Sequence, residues 1–289
     1  MLYREYDKNT LKTLQNMELE ILHDFQELCD RHDLDYFAGG GTAIGAVRHK
    51  GFIPWDDDID VNLLRKDYEK FLKYAEEEYA DKYTIINAEK NSKYPLMSTR
   101  WMKKGTKFKE ESLKDIDIDL GVFLDIYCFD NVPDNDKLMK KQARKVWLLN
   151  KIMILKEVKE PVLYFGGILG ELVLFICRIG HFFLNIIPIS NEWLYKKIKR
   201  ELIKYNNVPT KRVAYYFDPT PYTSIIYRDT IFPTYEVPFE EGKIRVGCQV
   251  ESYLSRRFGD YMKLPPEEKR HNHPPYIFDL GTEKDNINQ

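Results

Sequence analysis

Residues 36–61 read YFAGGGTAIGAVRHKGFIPWDDDIDV, and this stretch decides the fold. Tyr36, Phe37 and Ala38 form a short apolar strand that runs into Gly39, Gly40 and Gly41. From Thr42 to Arg48 the pattern is helical, so the segment reads as strand, tight turn and helix. Gly51 to Pro54 turn the chain again, and 55–61 read as a second strand. Strand side chains alternate, so Ile59 and Val61 face the core while Asp56, Asp58 and Asp60 line the opposite face.

On such a strand the Cβ atoms of Asp58 and Asp60 stand roughly 6 to 7 Å apart, close enough for one cation to sit between them. Three like charges in a short row repel unless an ion compensates, and an all-oxygen donor set selects Mg²⁺ or Mn²⁺, which also bind donor phosphates. The glycine turn supplies the complementary part. Amides at a turn without Cβ atoms approach phosphate oxygens closely, and the positive end of the next helix favours their charge. Thr42 is placed to cap that helix or to donate to a phosphate, and Arg48, His49 and Lys50 add positive charge nearby. Asp125 lies on an apolar strand over 122–127, where desolvation demands a metal, a charged partner or backbone amides.

Working outward, apolar residues at Leu14, Met17, Ile21, Leu22, Phe25 and Leu28 predict a long amphipathic helix over 9–32, capped by Asn9 or Thr10. A further helix is expected over 67–79, and the 122–127 strand is expected to end in a turn at 130–133. Residues 162–189, VLYFGGILGELVLFICRIGHFFLNIIPI, hold only Glu171, Arg178 and His181 as ionisable groups, with lysines and arginines on both flanks. The uncharged runs are shorter than the ~20 residues of a bilayer span. A segment lying in the membrane interface is expected, with basic flanks meeting anionic headgroups, against the alternative of a buried helical hairpin.

Composition excludes other classes. With 289 residues and 43% hydrophobic content the chain can bury a sizeable core. A formal net charge of -2 gives no sign of a nucleic-acid binder. The cysteines Cys29, Cys128, Cys177 and Cys248 are far apart with no C-x-x-C pair, which fits a reducing compartment. The first thirty residues lack the pattern of a secretory signal, so a cytoplasmic protein is expected, peripheral on the inner face of the membrane. No protein partner is inferred.

The stretch from Tyr36 to Val61 closely resembles the signature of the LicD family, bacterial phosphocholine transferases related to fukutin-type ribitol-phosphate transferases. The likeness continues in Asp125-Ile126-Tyr127 and the Asn131-Val132-Pro133 turn, and resumes from Phe258 to Pro266 with Lys269, Arg270, His271 and His273. One departure is Cys248 after Val246-Gly247, where the family more usually has a proline. The resemblance implies an α+β fold, a nucleotidyltransferase-like mixed sheet flanked by helices. It also implies a division into a catalytic core (1–140), a hydrophobic and basic helical insertion (141–205) and a C-terminal part completing the core (206–289). By the same resemblance the donor is CDP-choline or a similar CDP-alcohol, and the acceptor is a glycan hydroxyl. Mg²⁺ or Mn²⁺ is held by Asp58 and Asp60 with Asp125 as the third carboxylate, which also makes these the expected catalytic residues. Gly40, Gly41 and Thr42 contact phosphate, with Arg48, Asp56, His271 and His273 as further substrate contacts.

Two rival readings follow from the same aspartates. An Asp-x-Asp pair also serves metal-dependent glycosyltransferases that use nucleotide-sugars. Asp56, Asp58, Asp60 and Asp67 also fall at positions 1, 3, 5 and 12 of a calcium loop, but Val61 stands where that loop needs glycine.

Overall fold

The computed structural model describes residues 7–161, 163, 166–218, 222–273 and 275–281. Helix α1 (Lys8–Arg31) is capped by Asp7, whose carboxylate accepts the amides of Asn9 and Thr10, the two residues expected to cap it. Strand β1 (Tyr36–Ala38) and helix α2 (Gly40–Arg48) fall where the sequence places them.

Strand β2 (Asp60–Leu64) is shorter than expected, and 56–59 are irregular. Consecutive aspartates are poor strand formers. Tertiary bonds also draw them away: Gln15 of α1 donates to the Asp56 carbonyl at 2.9 Å, and His273 engages Asp57. The ladder begins where the Gly39 amide donates to the Asp60 carbonyl at 3.0 Å. Asp56 and Asp58 therefore share no strand face with Asp60, contrary to the alternation argument.

Next come α3 (Arg65–Glu78), β3 (Tyr83–Ile86), β4 (Thr99–Lys103), β5 (Lys107–Glu110) and β6 (Phe123–Val132). Strand β6 runs through the expected turn because Asp130, Asn131 and Val132 pair with a later strand. The remaining elements are α4 (Asp136–Glu157), α5 (Gly167–Ile186), α6 (Asn191–Leu202), β7 (Arg212–Ala214), β8 (Ile225–Tyr227), α7 (Arg228–Ile231), β9 (Tyr235–Phe239), β10 (Gly242–Val246), α8 (Val250–Phe258) and β11 (Pro275–Asp279).

The main sheet has seven strands in the order β1-β2-β6-β4-β3, with β7 on the far part of β6 and β8 beyond it. Only β2 and β6 run parallel, so the sheet is mixed. The apolar stripe of α1 packs with α3 on one side, where Phe25 meets the Tyr36 ring edge-on at 5.0 Å and Phe71 meets Trp101 at 5.5 Å. A second cluster joins α4, α6 and β7 through Val132, Val146, Leu194, Ile198 and Ala214. The C-terminal third packs back onto the first: β11 pairs with β5, and Arg48 donates to the Tyr261 carbonyl at 2.6 Å.

Helix α5 stands apart. Its one buried residue is Gly170, while Ile168, Phe175 and Phe182 are 92%, 56% and 62% exposed. It rests on α4, with His181 Nδ1 at 2.9 Å from the Leu155 carbonyl, and is not the buried hairpin weighed above. It is the one helix among the described residues long and apolar enough to cross a membrane.

Candidate active site

Register brings the acidic residues of two strands together. In the parallel pair β2/β6, Asp60 lies opposite Asp125, Asn62 opposite Tyr127 and Leu64 opposite Phe129. Adjacent strands are about 4.8 Å apart, so the Asp60 and Asp125 side chains leave the sheet on the same face at that spacing. One oxygen of each, Asp60 Oδ1 and Asp125 Oδ1, is buried without a hydrogen-bond partner. Buried carboxylate oxygens left this way are costly, and a hard divalent cation is what such a donor set fits.

The neighbours of Asp125 give it partial compensation only. Arg100 Nε is 3.6 Å from Asp125 Oδ1, while the guanidinium of this fully buried residue donates to Glu110 at 2.6 Å. The Tyr127 hydroxyl donates to Asp125 Oδ2 at 3.5 Å. Burial raises the pKa of Asp125, with Arg100 opposing the rise.

The aspartate run divides its labour. Asp57 is 2% exposed and accepts the His273 amide at 3.0 and 3.1 Å, with the His273 Nδ1 at 2.9 Å. Asp58 Oδ2 lies 3.8 Å from the same nitrogen. Asp56, Asp57 and His273 bring their ligand atoms within 4.8 Å of one another; among the described residues, Asp58, Asp60 and Asp125 are not gathered so tightly. The hydrogen bond to Asp57 and the charge of Asp58 lift the pKa of His273 to about 11. Burial pushes Asp56 up to about 7, helped by Asp60. Asp58 and Asp60 are raised well above the ordinary carboxylate range by burial, with Asp56 adding to the rise at Asp58 and Asp58 to the rise at Asp60.

The glycine turn touches these carboxylates directly. Gly40 has φ +48°, and a Cβ there would lie 2.2 Å from Asp60 Oδ2; at Gly41 it would lie 2.6 Å from Asp56 Oδ2. Thr42 does not cap α2, whose N-cap is Gly39. Its buried hydroxyl oxygen instead accepts the Asp60 amide at 2.8 Å and fixes the first residue of β2.

Two other expected contacts lie elsewhere. Arg48 is at the opposite end of α2, about 12 Å along the axis from Gly40. His271 Nε2 bonds to the Glu268 carbonyl in its own loop. The calcium-loop spacing is not realised, since 60–64 are strand and Asp67 sits in the first turn of α3.

The structure adds residues not singled out from sequence. Glu18 of α1 is 2% exposed, and burial together with Asp58, Asp57 and Asp56 raises its pKa strongly. Its signal was legible: a carboxylate inside the apolar stripe between Leu14 and Ile21. A small cavity beside Asp60 is lined by Gly40, Asn62, Tyr127, Tyr215 and Arg257. Arg257 Nη2 is 3.2 Å from Asp218 Oδ2, and the Tyr127 and Tyr215 rings meet edge-on at 5.0 Å. Nothing local in the sequence marks Arg257 or Tyr215, because tertiary contact alone brings them here.

Residues 33–146 match the family described as LicD/FKTN/FKRP, nucleotidyltransferase domain. Over 295 aligned residues, 92% of this chain and 96% of the relative, the sequence is 29% identical to the lipopolysaccharide cholinephosphotransferase LicD of Haemophilus influenzae. Two uncharacterized proteins, from Rickettsia typhi and Rickettsia prowazekii, are 38% identical over 65 residues, 22% of this chain and 19% and 23% of theirs.

Proposed function

We propose that this chain, whose residues 33–146 match the LicD family and whose sequence is similar over nearly its whole length to a lipopolysaccharide cholinephosphotransferase, transfers phosphocholine, or a related phospho-alcohol, from a CDP-linked donor to a glycan hydroxyl. The fold that fits this reading is nucleotidyltransferase-like. The observation that carries it is the in-register pair Asp60 and Asp125, each with a buried oxygen that accepts no hydrogen bond, with Asp60 beside the Gly40 turn.

Asp58, Asp60 and Asp125 are the residues that would hold Mg²⁺ or Mn²⁺. When bound, the ion neutralises donor phosphate charge and offsets the repulsion among the carboxylates. The chain's own groups do the rest. The N-terminal amides of α2 face the donor phosphates, and Gly40 and Gly41, having no side chain, leave the room that the Asp60 and Asp56 carboxylates occupy beside those amides. Arg257 meets phosphate oxygens from the far wall of the cavity. Tyr127 and Tyr215 offer ring faces to a quaternary ammonium, and Asp218 lies beside them. The glycan hydroxyl attacks phosphorus, the bond to CMP breaks, and the hydroxyl proton passes to a carboxylate. Asp56, held near 7, is poised to take it. Asp125 is the other base within this group.

Conversion of Asp60 to Asn, and separately of Asp125 to Asn, is expected to cut transfer from CDP-choline at least about a hundredfold. A panel of CDP-alcohols and nucleotide-sugars read by mass spectrometry checks this. Wild-type turnover of a nucleotide-sugar but of no CDP-alcohol contradicts the assignment. The same reading seats the protein on the inner face of a membrane, with the exposed residues of α5 in the interface.

A further inference from the structure

The sheet face that carries Asp60 and Asp125 continues as Asn62 with Tyr127 and then Leu64 with Phe129. Four residues of strand cover about 13 Å. At the far end of this row opens a cleft of about 820 Å³. Phe129 lines both this cleft and the small cavity at Asp60, so the two adjoin along the sheet on either side of its ring.

The cleft is cationic by construction. Lys66, Lys70 and Lys73 recur at helical spacing on α3, Lys73 lying 3.8 Å from Glu77, and Arg228 lines the same cleft. Arg65 is already committed, donating at 2.8 and 2.6 Å to the two oxygens of the buried Asp130. Arg228 is different. Its guanidinium donates to the neutral Asn131 side chain, and it forms no ion pair with a carboxylate among the described residues. Burial accordingly disfavours its charge. Asp67 and Glu69 also line the cleft, but neither is paired with Arg228. A half-buried guanidinium without a carboxylate partner among the described residues, lining the same cleft as Lys66 and Lys70, is a site for an anion.

We infer that this cleft binds a phosphate group of the acceptor, so that the glycan modified at the carboxylates carries its own phosphate about 13 Å from the reacting hydroxyl. Guanidinium with flanking ammonium groups matches phosphate better than any neutral sugar. The acceptor role rests on the transferase reading, whereas anion binding in the cleft does not.

Calorimetric titration with glucose 6-phosphate, glucose and inorganic phosphate tests it, in wild type and in the Lys66→Glu/Lys70→Glu and Arg228→Gln variants. Glucose 6-phosphate is expected to bind at least about tenfold more tightly than glucose, the worth of one charge-assisted hydrogen bond to its phosphate, and more tightly than inorganic phosphate through contacts of its sugar. Both variants lose that preference while CDP-choline affinity stays within about twofold. The lysine variant changes side chains on the cleft side of α3, and melting curves check that both variants fold. Inorganic phosphate binding as tightly as the sugar phosphate overturns the acceptor assignment, as does a preference that survives the charge reversal. Failure to bind CDP-choline, with the sugar-phosphate preference intact, sinks the proposed reaction and leaves the anion cleft standing.

Discussion

Gly40 shows how little room the carboxylates leave. At φ +48° and with a Cβ position 2.2 Å from Asp60 Oδ2, it faces two separate obstacles to any side chain. Gly105, at φ +81° with nothing within 4 Å, faces only the first. Gly105→Ala is therefore expected to cost about 1 kcal/mol of stability with activity intact, and Gly40→Ala to cost more and to lose activity at least about tenfold. Equal effects in both variants would show that backbone strain alone is at work. The acidic cluster makes a second prediction. Glu18, Asp56, Asp58 and Asp60 all hold protons above the ordinary carboxylate range, chiefly through burial. Between that range and their raised values the folded state binds more protons than the unfolded one, so stability falls as pH rises. His273 acts in the same direction: its contribution is complete below 6.5 and lost toward 11. In chelator, the melting midpoint should fall by several degrees from about pH 6 to pH 8, since roughly 1 kcal/mol moves a chain of this size by about 2 °C. Added Mg²⁺ at the upper pH should restore it. A midpoint indifferent to both would count against a cation among these residues. Sequence conveyed the residue types well and their partners poorly: nothing in the aspartate run says that Asp57 faces His273, or that the Thr42 oxygen serves the Asp60 amide.

The elements were legible in proportion to their periodicity. Helix α1 follows from its apolar stripe, and β1 and α2 from the glycines between them. The failures lie where long-range bonds outweigh local pattern, as at 56–59, where contacts to Gln15 and His273 replace a ladder, and at 130–132, where pairing with β7 extends β6 through a supposed turn. Helix α5 is the element whose composition conflicts most with its surroundings. Its exposed phenylalanines, Phe175, Phe182 and Phe183, are each over half exposed, at 56%, 62% and 57%. Changing all three to serine is expected to move the protein from vesicle-bound to free in sedimentation with anionic vesicles, without lowering its melting midpoint. Unchanged sedimentation excludes α5 as the docking element.

At the scale of the molecule, the ends of the chain depend on one another. His273 latches Asp57, Glu240 accepts the Phe52 amide at 2.9 Å, and Arg245 reaches Asp30 at 2.6 Å. A fragment ending at residue 160 lacks all these contacts and is expected to melt without a cooperative transition in calorimetry. Replacing 167–186 by a short glycine-serine linker, in contrast, should leave cooperative unfolding intact, because α5 buries only Gly170. Continuous β6 has a further consequence. It carries Asp125 near its start, and its last residue, Val132, belongs to the cluster of α4 and α6 on which α5 rides. Ten residues of one strand make a rod of about 33 Å with no hinge inside it. If α5 floats on lipid, that rod works as a depth gauge: chemistry takes place at one constant elevation, and a sugar is chosen by its height above the bilayer as well as by its shape.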